Sequence, residues 1–426
     1  MLIRFKVGNY LSFNEIQELS MIAGPTRMHS NHICNVEDVQ LLKLAAIYGA
    51  NASGKSNLIE AMKEAKQFIL GTRGIERRNW FRLKKENKSL PSLFEFEIEI
   101  DSTIYSYGFE IIISEQRIKS EWLYMLFPIN KLIFQRIDNK ITHEFDNDHA
   151  RLDVYIEDMQ QLSDKLFLHE MSKKMRPDEE ELLIFLRIHN WFKEKMWIFD
   201  ADEYPSPADS MGGISELMHS LGTGITSAEY KRMDPDLKLV PDHILDSAYD
   251  ILKSRKNTNA LFFKDDRISL SDDDKLIFER LVFTHGNKDV CFTFDEESDG
   301  SKRLYNLQRI LLEKNSDMTY IIDELDLRLH PKLTYRFIEQ FIERTNGNKN
   351  QLIFTTHESH ILDFNLLRRD EIWFIEKNDD VSTLYSLEEF AERTDKKIDK
   401  AYLEGRYGSI PIFSTIPPQK EDPCEN

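Results

Sequence analysis

"IYGANASGKSNLIEAM", residues 47–62, carries Gly49, four intervening residues, then Gly54, Lys55 and Ser56, the GxxxxGK[ST] spacing of a Walker A loop. A loop wrapped round a polyphosphate turns its backbone amides inward, which calls for glycine where a side chain would obstruct the anion. Lys55 then supplies a point charge to the terminal phosphates of ATP, and the Ser56 hydroxyl is placed to ligate Mg2+. Asn51 and Asn57, in and just after the same turn, join the nucleotide-contacting set. The flanks agree. Leu44 to Tyr48 is a short apolar run suited to a buried strand, and Leu58, Ile59, Met62, Ala65, Phe68 and Ile69 recur at helical spacing until Gly71 caps the helix.

The second half of the chain supplies what such a loop needs. "MTYIIDELDLRLHP", residues 318–331, opens with the apolar run Met318 to Ile322 and ends it in Asp323 and Glu324. A carboxylate at the end of a strand beside the loop can hold magnesium through water, and a second can deprotonate the attacking water. Asp323 takes the first role and Glu324 the second. A helix follows over "KLTYRFIEQFIER", with Leu333, Phe337, Ile338, Phe341 and Ile342 on one face. In "QLIFTTHESHILD", residues 351–363, Gln351 to Thr355 reads as another strand, and His357 at its end could bond a terminal phosphate or the water. His360 reads as a helix-surface residue. In "EESDGSKRLYNLQRILL", residues 296–312, Ser298, Gly300 and Ser301 precede a helix with Leu304, Leu307, Ile310 and Leu311 on one face, and such a turn offers free amides to an anion.

Composition limits the class. The chain has 426 residues, long enough for two or three domains, 41% hydrophobic residues and a net charge of −18, which rules out a wholly basic DNA-coating surface. No membrane segment is needed, and "MLIRFKVGNYLSF" alternates like a strand rather than running apolar like a signal peptide. Cys34, Cys291 and Cys424 lie far apart without metal-ligand spacing. The cytoplasm is the expected compartment. One stretch, "GTRGIERRNWFRLKKENK" (71–88), opposes the acidic balance: Arg73, Arg77, Arg78, Arg82, Lys84, Lys85 and Lys88 face only Glu76 and Glu86, with Trp80 and Phe81 between. A basic, aromatic-interleaved loop can track a phosphate backbone and stack on bases, so nucleic acid stays open as a partner.

Residues 150–285 are the least readable. "DEEELLIFLRIHNWFKEKMWIF" has helical periodicity, "DADEYPSPADSMGG" is a turn-rich break, and "SLSDDDKL" reads as a solvated loop. No heptad pattern persists, so a compact, mainly helical lid is expected rather than a coiled-coil arm. No nuclease constellation stands out, since the roles given to Asp323 and Glu324 beside the Walker A loop, those of a Walker B motif, account for "DELD" better.

The order of Walker A, long insertion, signature turn, "DELD" and switch histidine resembles the ABC ATPase class that includes the SMC, Rad50 and RecF proteins. The strings "FKVGNYLSF", "ESDGSKRL", "DELDLRLHP", "QLIFTTHESHILD", "RRDEIWFIEK" and "AYLEGRYGSIPIF" resemble the bacterial abortive-infection ATPases of the RloA and AbiL type, over residues 1–125 and 285–415. That resemblance implies an α/β, ABC-type P-loop ATPase head in three parts: an N-terminal lobe 1–149, a lid 150–285, and a C-terminal lobe with tail 286–426. It implies that Ser298 and Gly300 contact the γ-phosphate held by a second subunit, and that Asp326 is the D-loop acid at that interface. It also implies an ATPase acting as a homodimer or higher homo-oligomer, which senses phage infection and controls an effector from a neighbouring gene, a Toprim-like nuclease. The alternative is a DNA-repair ATPase like RecF or Rad50 that binds DNA directly. Two departures are noted. Leu11 stands where related heads often carry arginine, and the Q-loop glutamine has no clear position, Gln135 being the candidate.

Overall fold

The computed structural model describes residues 1–25, 28–145, 150–174, 180–199, 213–232, 242–254, 260–263, 266–271, 273–287, 289–312, 316–390 and 402. The break expected at 200–213 and the tail string 401–413 lie outside them, apart from Gly213 and Tyr402.

The chain starts with β1 (Leu2–Gly8), β2 (Gln17–Ser20) and a ribbon of β3 (Ile33–Val36) and β4 (Val39–Leu42), then enters β5 (Leu44–Tyr48) and α1 (Lys55–Ile69). All five residues of β5 are buried, which is why an uninterrupted apolar run was required: a strand covered on both faces has no side to give to water. Helix α1 closes through Leu70, and Gly71 takes φ 62°, the left-handed geometry that glycine adopts without strain. Five antiparallel strands follow: β6 (Ser92–Ile100), β7 (Thr103–Ile112), β8 (Arg117–Phe127), β9 (Lys131–Ile137) and β10 (Lys140–His143). With β1 and β2 they make a seven-stranded sheet ordered β10-β9-β8-β7-β6-β1-β2.

The middle of the chain holds α2 (Ala150–Met159), α3 (Phe167–Lys174), α4 (Leu183–Asn190), β11 (Met196–Phe199), α5 (Ile214–Ser220), β12 (Ser227–Arg232), α6 (Asp242–Ser254), β13 (Ala260–Phe263), β14 (Asp266–Leu270) and β15 (Leu276–Thr284). The helices expected of the lid are thus joined by strands that the sequence reading did not foresee. Strands β12 to β15 build an antiparallel sheet of their own, and β11 pairs in parallel with the strand that carries the acidic motif, Met196↔Thr319 to Phe199↔Ile322. "MWIF" read as helix because a four-residue apolar run after a helical stretch has no period of its own; its pairing partner lies more than a hundred residues away. The expected border at 285/286 is likewise bridged, since β15 pairs with β16 (Phe292–Thr293).

The C-terminal part runs α7 (Asp299–Leu312), β17 (Thr319–Ile322), α8 (Pro331–Arg344), β18 (Gln351–Thr356), β19 (Ile372–Asn378) and β20 (Val381–Ser386). These strands join β5 and β11 in a six-stranded sheet ordered β11-β17-β18-β5-β19-β20, parallel except for β20. This sheet is the wall between two cores. Ala45, Ile47, Ile321 and Ile353 face the core shared with α1 and the antiparallel sheet; Leu44, Ala46, Tyr48, Tyr320, Ile322, Leu352 and Phe354 face the core shared with α5, α7 and α8. The period-two alternation of each strand divides its residues between the two.

Candidate nucleotide-binding and hydrolysis site

Strand order decides the site. β18 lies between β5 and β17, and because all three run parallel, their C-terminal ends open on one edge of the sheet. The glycine loop leaves β5, the DELD turn leaves β17, and His357 follows β18 directly between them.

In the loop, Ala52 takes φ 62° and Gly54 φ 115°. The glycines answer to a tighter constraint than the phosphate alone. A Cβ on Gly49 would stand 2.5 Å from the Ile375 carbonyl and from Ser53 Oγ, and one on Gly54 would collide with the hydroxyls of Ser382 and Ser12. The loop is thus pressed against the β20 hairpin and the turn after β1. Ser382 Oγ donates to the Ser53 carbonyl at 2.5 Å, Ser382 N donates to the Ser12 carbonyl at 2.9 Å, and Asn57 Nδ2 donates to Ser12 Oγ at 2.7 Å. Asn57 therefore has a bracing role that its place in the motif did not announce. Asn51 and Ser56 are exposed, with their polar groups open to a ligand.

Lys55 is 4% exposed; its Nζ donates to the carbonyls of Gly49 (2.7 Å) and Ala50 (3.0 Å) and lies 3.4 Å from His357 Nδ1. Burial lowers its pKa to about 8, against the pull of Asp323, Glu324 and Asp326. Burial, and Lys55 after it, also lower the pKa of His357. An ammonium can only donate, so His357 accepts at Nδ1 and carries its proton on Nε2. That nitrogen stands 3.9 Å from Glu324 Oε1.

The acids are held by β18. Thr355 Oγ1 donates to Asp323 Oδ1 at 2.6 Å and accepts from Glu324 N at 2.8 Å. Glu324 has φ 50°, a left-handed backbone that a side-chain-bearing residue adopts only when held there. Asp326 Oδ2 accepts from the His357 amide at 3.4 Å, while its Oδ1 is buried without a hydrogen-bond partner among the described residues. The residues fit a magnesium ion shared with bound phosphates: the donors are hard oxygens, from the exposed Ser56 hydroxyl and the second oxygen of Asp323. Among the described residues no three His, Cys, Asp or Glu side chains cluster to hold a metal alone, so the ion would depend on the nucleotide for its remaining ligands.

Other expected residues fall elsewhere. Ser298 is exposed, and its Oγ caps Ser301 N at 3.1 Å. Helix α7 starts one residue later, at Asp299, so Gly300 and Ser301 lie within its first turn rather than ahead of it. Gly300 packs against the DELD loop, with a Cβ there falling 3.2 Å from the Arg328 carbonyl. Gln135 is not at the site: it sits on β9, beside β10 at the far side of the antiparallel sheet, opposite Thr142 and Trp122. Leu11, at φ 47°, packs on the core beside the loop and donates its N–H to the Asn79 carbonyl. In the basic stretch the seven cations are all exposed, but Phe81 is buried and Trp80 packs on the core, so these rings anchor the loop instead of presenting faces to bases. Buried Glu64 of α1 holds it too, accepting from Tyr10, Glu76 N and Asn79. Sequence reasoning passed over Thr355, Ser12 and Ser382, whose roles depend on partners at distances in the chain that no spacing rule links.

A parallel sheet with a glycine loop after β5, paired acids after the neighbouring-but-one strand and an antiparallel sheet on the loop's own lobe define an ABC-type P-loop ATPase head. The chain belongs to the family described as "AAA domain, putative AbiEii toxin, Type IV TA system", whose model matches residues 44–190 and 225–363. No curated protein sequence matches it. Among solved structures it is similar to an SMC head bound to the C-terminal winged-helix domain of ScpA (15% identity, TM-score 0.45, 91% of this chain and 98% of that one). It is also similar to the SMC head domain from Thermotoga maritima (13%, TM-score 0.35, 90% and 98%) and to an SMC head with an extended coiled coil bound to the C-terminal domain of ScpA, derived from Pyrococcus furiosus (13%, TM-score 0.41, 95% and 99%). These are distant likenesses. No helix among the described residues is long and apolar enough to cross a membrane.

Proposed function

We propose that this chain binds ATP with magnesium and hydrolyses it to ADP and phosphate, using Lys55 for the phosphates, Ser56 and Asp323 for the ion, and Glu324 as the base that takes a proton from the attacking water. The observation that carries this reading is the meeting of Lys55, His357, Glu324 and Asp323 at one sheet edge, on three strands from opposite ends of the sequence. His357, protonated at Nε2 and neutral, is suited to donate to a phosphate oxygen or to the water. Exposed Ser298 and half-buried Gly300 at the start of α7, together with Asp326 of the DELD loop, supply a face for the nucleotide of a second copy, so that ATP draws two chains together. The family description supports a place in a toxin–antitoxin or defence system. In that setting the ATP-driven homodimer senses phage infection in the cytoplasm and controls an effector protein, of which a Toprim-like nuclease from a neighbouring gene is the type.

The second reading, a RecF- or Rad50-like repair ATPase, is favoured by one feature: the seven exposed cations of 71–88 on a rigid mount. Salt-dependent DNA binding by the purified chain alone would select it. The test of the primary reading is Glu324→Gln beside Lys55→Ala. The first should bind ATP but lose at least about a hundredfold in turnover, as expected for a missing general base, and accumulate as an ATP-bound dimer; the second should lose ATP binding. Near-normal turnover in Glu324→Gln would move the base role to His357.

A further inference from the structure

Arg303 stands on α7, one turn beyond the exposed Ser298, and is 5% exposed. Its Nη2 reaches under the DELD turn and donates to the carbonyl of Glu324 at 3.0 Å, with the carbonyl of Asp323 at 3.4 Å. Glu324 is the residue held at φ 50°. Thr355 fixes that residue from its amide side and Arg303 from its carbonyl side, so the left-handed turn is gripped at both ends. Gly300, on the preceding turn of α7, lies against the Arg328 carbonyl, and Arg328 is itself left-handed at φ 62°. The first two turns of α7 therefore meet both strained points of the loop.

We propose that Arg303 is a positioning residue for hydrolysis: its guanidinium holds the Glu324 turn so that the carboxylate faces the attacking water. The proposal rests on the reading of Glu324 as general base. Both bonds come from one nitrogen, Nη2, whose direction is fixed by the planar guanidinium, where an ammonium on a flexible stem would leave it free to turn. Because α7 begins at the exposed Ser298 end, a shift of that helix reaches Glu324 through Arg303, with no need for motion of the sheet.

The experiment uses the full chain with single-turnover hydrolysis of radiolabelled ATP and equilibrium binding of a fluorescent ATP analogue. Arg303→Met should slow hydrolysis by about a hundredfold, the scale of loss when a catalytic group is misplaced by an ångström, while affinity for the analogue stays within about twofold. Arg303→Lys, which keeps the charge and loses the fork, should recover part of that rate. Combined with Glu324→Gln, Arg303→Met should add nothing, because the group it positions is already gone. A wild-type rate in Arg303→Met overturns the proposal. So does an equal further slowing in the Glu324→Gln background, or loss of binding and rate together, which marks a role in folding only. If Arg303→Met does not fold, Arg303→Lys decides: unchanged binding with a slower rate supports the proposal, and a wild-type rate overturns it. Full activity in Glu324→Gln sinks the general-base reading itself, whereas an inert Glu324→Gln beside a fully active Arg303→Met sinks only this inference.

Discussion

Replacing Thr355 by valine tests the site at the point where the tertiary structure adds most. Thr355 is 0% exposed, and its hydroxyl makes two bonds at once, to Asp323 Oδ1 at 2.6 Å and from Glu324 N at 2.8 Å. Valine fills nearly the same space without the oxygen. The bond to a carboxylate contributes about 1.5–3 kcal/mol, and leaving the Glu324 amide without its acceptor costs about 1–3 kcal/mol. Asp323 and Glu324 are half-buried, so water recovers part of both. A net loss of about 2–4 kcal/mol follows, seen as a fall of several degrees in Tm. Turnover should fall further than stability suggests, by about a hundredfold, because both acids lose their registration to the phosphates. Thr355→Ser should stay close to wild type in both respects. Thermal melting and steady-state phosphate release measure the two effects separately. Turnover within threefold of wild type in a folded Thr355→Val protein would refute the claim that β18 organises the acids.

Three further outcomes are expected. Burial holds the Lys55 ammonium at about 8 in the free protein, and bound phosphates favour its charged form, so ATP affinity should be flat below pH 8 and fall by about tenfold per unit above it; titration calorimetry from pH 7 to about 9.5 checks this, and a flat profile throughout would place the charge on another group. If two copies share each site, Lys55→Ala and Ser298→Arg should each be inactive alone and recover about a quarter of wild-type activity when mixed, since half of randomly exchanged dimers are mixed and each of those has one intact site; no recovery in a mixture shown by tag pull-down to contain heterodimers would count against the shared site or against independent sites. Neutralising Arg77, Arg78, Lys84 and Lys85 together should leave ATP turnover unchanged, because all four are exposed and the loop is held by Phe81, Asn87 and contacts to Glu64 instead; a fall in turnover would place that loop in the catalytic core.

The strand from Leu44 to Tyr48 and the helix that ends at Gly71 were legible because the signals that mark them are local. A continuous apolar run specifies a strand covered on both faces, and 3.6-residue periodicity with a glycine stop specifies a helix. The strand before DELD and the strand before His357 were legible for the same reason. The sequence by itself thus determined the class of the fold and marked the residues of the candidate site. It did not determine the neighbours. Strand β11 went unread because a four-residue apolar run acquires its meaning from β17, and Gln135 was misplaced because a glutamine on a strand carries no mark of which sheet the strand joins. The glycines were assigned the right positions for an incomplete reason: Ser12, Ser382 and Ile375 crowd Gly49 and Gly54 from segments at either end of the chain. Thr355, Arg303 and the inward-turned Phe81 belong to the same class. Local pattern fixes which surface a residue offers to its own strand or helix; which side chain meets it there depends on how the strands are ordered and the helices laid over them, and that ordering exists only in the folded chain.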